Sequence, residues 1–396
     1  MNLFEYLERN FATFDERAFN PVDSAALSQF CMVRLRGVAP DVRRNTDGWL
    51  VSRPDADAFA DRFHAWARSP ARFSDFLDAR HFGDMFSGLD PDNVKHELFL
   101  LAASPRFKGL KIRDYADFFD EGTCMQFAAM TFVWRDQWAY VGFRGTDESF
   151  AGWRENFDMA VNPPVPAQRM AVEYLESVAR HLPHRLYVGG HSKGGNLATY
   201  AALHCSKDVR KRIRCLFDHD GPGFKSGFLS EEDYLRLDGR IDRTVPQGSL
   251  VGQLLETHAP TRVVHAESGI GGIQQHSVFT WGVDDGMRDF QCVGKLDDSA
   301  AFAHDILNEW IGSIDQEKLP DVIDALFRTI EASGSENVSE FLAGSADAIG
   351  FILEVARDMD DATRRILVPE LTSFASIAAS HTARSVQKAL RGQEAR

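Results

Sequence analysis

Residues 185–205 read RLYVGGHSKGGNLATYAALHC, and this stretch decides the fold. Its first five residues, 185–189, form a short apolar run that is typical of a buried strand. The residues from Gly195 to Cys205 are mostly small and predict a helix. Between the strand and the helix, residues 190–194 form a Gly-x-Ser-x-Gly sequence, GHSKG. This order predicts a sharp turn with Ser192 at its tip.

The chemistry of a nucleophilic serine accounts for the two glycines of this turn. A serine at the tip needs unfavourable backbone angles, and glycine two residues before and two after it removes side chains that would collide there. The hydroxyl then stands at a helix N-terminus, where free N–H groups and the helix dipole favour a developing negative charge. We therefore predict that Ser192 is a nucleophile. The alternative is a glycine-rich strand-to-helix turn with an ordinary serine.

The surrounding chain, from about residue 125 to 285, alternates between strand-like and helix-like patterns. This alternation predicts an α/β fold in which a mostly parallel sheet is flanked by helices. An amphipathic helix is predicted at 167–181. The predicted strands lie at 126–134, 138–144, 185–189, 213–217 and 262–266.

Three segments are expected along the chain. Residues 1–120 are expected to form an N-terminal helical segment that packs on or caps the core, residues 121–298 the α/β core, and residues 299–396 a C-terminal helical region. The predicted helices of the two outer segments lie at 25–33, 55–68, 73–86, 300–311, 319–332, 338–358 and 363–390.

Composition limits the partners and the compartment. The formal net charge of −14 argues against nucleic acid or an anionic membrane surface as a partner, because both need a basic face. The first residues lack the apolar region of a signal peptide, and no apolar run approaches the length of a membrane span. Five scattered cysteines give no zinc framework and fit reduced thiols. We therefore expect a cytoplasmic protein without an integral membrane segment, metal or organic cofactor.

Several motifs together resemble a known family. The segment YVGFRGT at 140–146 resembles the Phe-Arg-Gly-Thr segment of class 3 (fungal-type) lipases, and GGHSKGGNLA at 189–198 resembles their serine turn. The segments NPVDSAALSQF at 20–30 and DGPGF at 220–224, with Gln275-His276, resemble the bacterial Mbeg1-like family of lipase-like hydrolases. The resemblance implies an α/β-hydrolase fold and a lipid or acyl ester substrate.

The resemblance also implies an oxyanion hole. Its donors would be the backbone N–H of Lys193 and Thr146, through its N–H and its hydroxyl. Two such donors stabilise the oxygen of a tetrahedral intermediate, and losing one typically costs about 3–4 kcal/mol. The chain departs from the lipases at Lys193, where they carry Leu, and we interpret the Lys193 side chain as a solvated group at the helix start.

The general base is predicted to be His276. In this fold the chain order is serine, acid, histidine, so the base follows Ser192. His276 comes after a glycine-rich loop just past a predicted strand, and it matches the Gln-His segment of the family. The alternative is a surface histidine at this position. The other candidates downstream of the serine are His204, His219, His258, His265 and His304.

The acid is the point at which the sequence departs most from the lipases. Their Asp aligns with Ser249, so the carboxylate has either moved or is absent. We predict that Asp220 supplies it, because Asp220 follows the strand at 213–217, at the carboxyl end of the sheet. A turn in which Asp220 bonds its own backbone is the alternative reading. Asp218 and Glu256 are the next candidates, and a Ser–His dyad remains if none acts.

These residues predict a serine hydrolase that cleaves carboxylic esters through an acyl-enzyme intermediate. The expected partner is a small-molecule acyl ester or lipid. One alternative keeps the fold and changes the bond, giving a thioesterase, amidase or acyltransferase. Another is a hydrolase-fold protein that has been repurposed for binding, with the C-terminal helices as its interaction surface.

Overall fold

The fold is described from a computed structural model of the 396-residue chain. The predicted helices at 55–68 and 338–358 lie outside the described residues. The described residues are 1–39, 42–44, 50–52, 70–88, 90–120, 122–123, 125–147, 150–237, 239–267, 272–315, 317–332 and 360–394.

Within the described residues, an eight-stranded mixed sheet forms the centre of the fold, with strand order β10-β9-β8-β7-β6-β5-β4-β3. Strands β5 to β9 are parallel, and the pairs β3–β4, β4–β5 and β9–β10 are antiparallel. A separate antiparallel pair joins β1 and β2. The strands are β1 Val42–Arg44, β2 Leu50–Ser52, β3 Lys111–Asp120, β4 Met125–Trp134, β5 Trp138–Phe143, β6 Arg185–His191, β7 Ile213–His219, β8 Ile241–Pro246, β9 Thr261–Val264 and β10 Cys292–Val293.

Helices cover both faces of this sheet, so the predicted α/β-hydrolase class is confirmed. The helices are α1 Leu3–Arg9, α2 Pro21–Phe30, α3 Phe82–Met85, α4 Pro91–Ala103, α5 Phe150–Val161, α6 Pro166–Ala179, α7 Lys193–His204, α8 Lys207–Arg212, α9 Glu231–Leu235, α10 Asp298–Ser313, α11 Leu319–Ala332 and α12 Asp361–Glu394. In β5, Tyr140 belongs to the core beneath α1, α2 and α4, whereas Val141 belongs to the core beneath α6 and α7. This alternation follows from the two-residue period of a strand.

The five strands predicted from the sequence are confirmed, but five others among the described strands were not predicted: β1, β2, β3, β8 and β10. Strand β8 ends in Pro246 and has three consecutive polar residues after Ile241, so its pattern is weak. Strand β3 pairs with β4 and therefore places residues before 121 in the main sheet. The helix predicted at 73–86 is confirmed only at its end, where Phe82–Met85 forms α3, and the rest of the prediction was wrong. Residues Phe73–Phe76 and Ala79–His81 form 3₁₀ turns, because the side chain of Asp78 accepts from Arg80 N and starts a new turn.

The segment 20–30 has a structural role. The side chain of Asn20 caps α2 by accepting from Val22 N and Asp23 N, at 2.9 and 3.0 Å. The carboxylate of Asp23 forms a buried ion pair with Arg106, at 2.6 Å. These contacts fix the start of α2 to the segment that follows α4, and they explain the motif without any catalytic function.

The C-terminal helices pack against α5. An apolar cluster joins Val161 at the end of α5 to Leu319, Val322 and Ile323 of α11. Predicted helices at 319–332 and 363–390 correspond to α11 and α12. In the part of the chain that the structure describes, no helix combines the length and apolar character needed to cross a membrane.

Candidate active site

Ser192 occupies a strained turn between β6 and α7. Its backbone angles are φ 59° and ψ −133°, a region that residues with a side chain rarely adopt. The Ser192 N–H donates to the carbonyl of His219 at 2.9 Å, and the Ser192 carbonyl accepts from Gly195 N at 2.9 Å. The turn is therefore tied both to the neighbouring strand β7 and to the first turn of the helix.

The flanking glycines allow this turn to pack closely. A Cβ atom on Gly190 would lie 2.2 Å from the carbonyl carbon of Gly194. A Cβ atom on Gly194 would lie 2.2 Å from the carbonyl oxygen of Phe143. Both distances are far below van der Waals contact and involve backbone atoms, so no side chain fits at either position.

Asp220 leaves the sheet beside Ser192. In the parallel pair β6–β7, His191 lies opposite His219, so the next residues, Ser192 and Asp220, leave adjacent strands at the same edge. Asp220 also has a positive φ, 52°, and its N–H donates to the carbonyl of Thr244 at 2.8 Å. Its side chain is fully buried.

The carboxylate of Asp220 contacts His276 and Ser249. Oδ2 lies 2.6 Å from Nδ1 of His276, whose side chain is 20% exposed. Oδ1 accepts from the Ser249 hydroxyl at 2.5 Å and from Gly252 N at 3.1 Å. The structure thus brings Asp220 and His276 together, and Ser249 contributes a donor to the same carboxylate.

His191 packs against the ring of His276 and contacts its backbone. The two imidazole rings are 4.4 Å apart, and His191 Nε2 donates to the carbonyl of His276 at 2.8 Å. Burial, together with the neighbouring His276, lowers the pKa of His191 to about 3. His191 therefore remains neutral and adds no positive charge beside His276. Trp281 and Gln275 hold the same segment, since Trp281 Nε1 donates to the carbonyl of Gln275 at 2.9 Å.

The other candidate acids have other partners. Asp218 accepts from Arg243 Nε at 3.1 Å and from Gly221 N at 2.9 Å, and burial raises its pKa to about 6 despite the arginine. Glu256 accepts from Gly227 N at 3.1 Å. None of these contacts of Asp218 and Glu256 involves His276.

The remaining histidines also have partners of their own. His219 lies between the hydroxyls of Thr244 and Ser24, each at 2.9 Å. Three histidines contact a carbonyl or carboxylate on their own or a neighbouring segment, and a fourth contacts an amide. The contacts are His204 with the carbonyl of Tyr200, His304 with the carbonyl of Gln253, His258 with Glu256, and His265 with the side-chain oxygen of Gln247.

The predicted oxyanion segment lies against the serine turn. A Cβ atom on Gly145 would be 3.1 Å from the carbonyl oxygen of His191 and 3.4 Å from Cβ of Ser192. This close approach places the next residue, Thr146, beside the serine. The Asn156 amide contacts the Thr146 hydroxyl twice: its Nδ2 donates to Oγ1 at 2.8 Å, and Oγ1 donates to its Oδ1 at 3.0 Å, so the hydroxyl proton points at Asn156.

The side chain of Lys193 differs from the sequence interpretation. It is only 1% exposed rather than solvated, and its Nζ forms an ion pair with Glu155. Nζ also donates to the carbonyl of Gln126 at 2.8 Å. Its backbone N–H, at the first position of α7, belongs to the group of free amides at this helix N-terminus.

The arrangement suits acyl transfer. A hydroxyl stands at a helix N-terminus, and the histidine predicted as its base contacts a buried carboxylate through Nδ1. With that nitrogen protonated, Nε2 carries a free lone pair and can accept a proton. Thr146 and the amide of Lys193 lie on the same edge of the sheet as potential donors to an oxyanion.

The family assignment agrees with this site. The family described as Mbeg1-like matches residues 101–328, which is more than half of the chain. The chain belongs to the Mbeg1-like family. The matched range contains all five residues predicted for the site, namely Ser192, His276, Asp220, Thr146 and Lys193.

Solved structures that resemble the Mbeg1-like chain include lipases, at low sequence identity. The M37 lipase has 11% sequence identity and a TM-score of 0.33, with 48% of this chain and 84% of that chain covered. The triacylglyceride lipase of Rhizomucor miehei has 15% identity and a TM-score of 0.32, with 56% of this chain and 97% of that chain covered. No curated protein matches the Mbeg1-like chain.

Sequence reasoning missed four residues around the site of this Mbeg1-like protein. They are His191, Gln126, Glu155 and Asn156. His191 lies inside the quoted pentapeptide, but nothing local indicates that its ring would contact a histidine 85 residues away. Glu155 and Asn156 occupy consecutive positions of α5, and their partners Lys193 and Thr146 lie on other segments.

Proposed function

We propose that this protein is a serine hydrolase that cleaves carboxylic esters of lipid or acyl type through an acyl-enzyme intermediate. The observation that carries the proposal is the 2.6 Å contact between Asp220 Oδ2 and His276 Nδ1, next to a strained serine turn. Residues that the surrounding structure holds in a strained backbone conformation cluster at active sites, which supports a functional role for this turn.

In the proposed reaction, the hydroxyl of Ser192 attacks the acyl carbon while His276 Nε2 accepts its proton. Asp220 holds the Nδ1–H tautomer and stabilises the imidazolium that forms. The carbonyl oxygen becomes an oxyanion that accepts from Lys193 N–H and from Thr146. The alcohol then leaves with the proton returned by His276, and water releases the acid by the same steps in reverse order.

The position of Asp220 weakens the alternative of a protein repurposed for binding. That alternative rested on the absence of an acid at Ser249, and Asp220 provides a carboxylate at hydrogen-bonding distance from His276. The thioesterase, amidase and acyltransferase alternatives use the same residues, so a panel of acyl esters, thioesters and anilides with one acyl chain separates them.

Labelling by a fluorophosphonate tests the proposal directly, because only an activated serine reacts quickly. Wild type should be labelled and should hydrolyse a short-chain 4-nitrophenyl ester, whereas Ser192→Ala should lose both activities and retain its melting temperature. The turn exposes the hydroxyl, so its removal leaves the packing unchanged. Equal hydrolysis by the two proteins would refute the proposal. Labelling of a residue other than Ser192 would assign the nucleophile to that residue instead.

A further inference from the structure

Next to the serine, the chain buries a pair of opposite charges. The side chains of Lys193 and Glu155 are each only 1% exposed, and they form an ion pair. Burial opposes the charged form of Lys193 and lowers its pKa, while Glu155 acts in the opposite direction. Removing two charges from water is costly, and an apolar pair of similar volume is often at least as stable. Stability alone is therefore a weak explanation for this pair.

The contacts of the pair connect three separate segments. Glu155, on α5, accepts from Gln126 N at 3.1 Å and from Ala167 N at 3.0 Å. Lys193, directly after the serine, donates to the carbonyl of Gln126 at 2.8 Å. The start of α7 is thus fixed to the beginning of β4, to the middle of α5 and to the first turn of α6.

The same network reaches the other predicted oxyanion donor. The side-chain oxygen of Gln126 accepts from Asp147 N at 3.2 Å, one residue after Thr146. Asn156 follows Glu155 on α5 and contacts the Thr146 hydroxyl at 2.8 Å. Both ends of the oxyanion hole are therefore held by neighbouring positions of one helix and by one glutamine.

We propose that Lys193 and Glu155 are positioning residues, whose buried ion pair fixes the spacing between the Lys193 N–H and the Thr146 segment. Two donors stabilise an oxyanion only if both point at one oxygen atom. A displacement of about 1 Å in such a site can lower the rate about 10²-fold. This inference rests on the serine hydrolase function proposed above.

The test compares single and double replacements of the pair. Lys193→Met and Glu155→Gln each leave one buried charge without its partner, so each should lower the melting temperature. The double variant removes both charges and should recover most of that loss. We expect its kcat to remain about 10²-fold below wild type, with KM nearly unchanged and fluorophosphonate labelling slowed by a similar factor.

The melting temperature and kcat of the double variant together distinguish a positioning role from a purely structural one. Recovery of both melting temperature and kcat in the double variant would overturn the inference. The control pair is Arg262→Met with Asp242→Asn, which removes the part-buried ion pair of 2.8 Å between these residues and also the contact of Arg262 with Asp289 at 2.9 Å. These residues lie near the amino ends of β8 and β9, at the edge of the sheet opposite Ser192, so kcat should stay within about twofold of wild type.

A second variant covers the case in which the double variant does not fold. Gln126→Leu keeps both backbone contacts with the ion pair and removes the side-chain contact with Asp147 N. We expect kcat to fall about tenfold at unchanged KM, and an unchanged kcat would contradict the link. If Ser192 were not the nucleophile, wild type and Ser192→Ala would hydrolyse the ester equally well. That result would contradict the proposed function, and it differs from the two results that contradict the positioning role.

Discussion

Asp220→Asn is the replacement whose effect the structure defines most closely. In wild type, Oδ1 of Asp220 accepts from two donors, the Ser249 hydroxyl and Gly252 N, while Oδ2 faces His276 Nδ1. An amide has one acceptor and one donor end. The two donors retain the amide oxygen at the Oδ1 position, so the NH₂ group must face His276.

This orientation imposes the wrong tautomer on the histidine. With an N–H group opposite, Nδ1 of His276 must act as an acceptor, so the ring proton moves to Nε2 and that nitrogen can no longer take the proton of Ser192. The wrong tautomer in a serine–histidine–acid site costs about 10⁴ in kcat, which corresponds to about 5.4 kcal/mol. Because both hydrogen bonds to the amide oxygen persist, the melting temperature should change little.

The assay is steady-state ester hydrolysis at pH 8, with protein concentration set by active-site titration and folding checked by thermal melting. Ser249→Ala serves as the matched control, because it removes one donor to the carboxylate and leaves the contact with His276. We expect its kcat to fall by about tenfold at most. A kcat of Asp220→Asn within tenfold of wild type would refute the assignment of Asp220 as the acid, and a large drop in melting temperature with normal kcat would make Asp220 a structural turn residue.

Two further predictions concern the turn and its support. Gly194→Ala should lower the free energy of unfolding by about 3 kcal/mol in urea titrations, because the new Cβ would lie 2.2 Å from the carbonyl oxygen of Phe143, whereas Gly83→Ala, with no atom within 4 Å, should change it by less than about 1 kcal/mol. An equal loss in both would contradict the packing argument. The pKa of His191 is about 3 in the folded state because of burial, against about 6.5 when unfolded, so unfolding takes up a proton between these values and stability falls as pH decreases through this window. His191→Gln should reduce the slope of unfolding free energy against pH from 6 to 4.5 by up to about 1.4 kcal/mol per unit, and an unchanged slope would show that His191 is already protonated in the fold.

The serine turn could be predicted because its determinants are local. The turn depends on interactions between residues that are only a few positions apart, namely strand 185–189, the glycines at 190 and 194, and the small residues of α7. In the structure, β6 and α7 lie where the sequence pattern indicated. Lys193 shows the limit of this reasoning. A lysine at a helix start is normally solvated, and its burial depends on Glu155, a residue 38 positions earlier in another helix. Nothing in the local pattern of either residue encodes that contact.

Sequence reasoning also failed where a side-chain hydrogen bond or a β-bulge interrupts a regular helix or strand. The aromatic residues of 73–86 predict a helix, but Asp78 competes for backbone N–H groups, and the first part of this range forms 3₁₀ turns before α3 begins at Phe82. In β3, Asp114 has a φ of 56°, and the pairing with β4 shifts between Arg113 and Ala116. Such a bulge interrupts the alternation on which strand prediction depends.

Asp220 and Ser249 show how a parallel sheet brings two distant sequence positions to the same region. Asp220 follows β7 and Ser249 follows β8, and these parallel strands are neighbours with His219 opposite Thr244. Their following loops therefore emerge side by side, so a carboxylate from either loop reaches the same region beside His276. With Asp at 220, the residue at 249 is free to become a donor, and the Ser249 hydroxyl contacts Asp220 Oδ1 at 2.5 Å. An aspartate at 249 would instead place two carboxylates in contact, and like charges at that distance cannot both remain ionised. The proposed acid at 220 therefore favours an uncharged residue at 249, and serine meets this condition while also donating to the carboxylate.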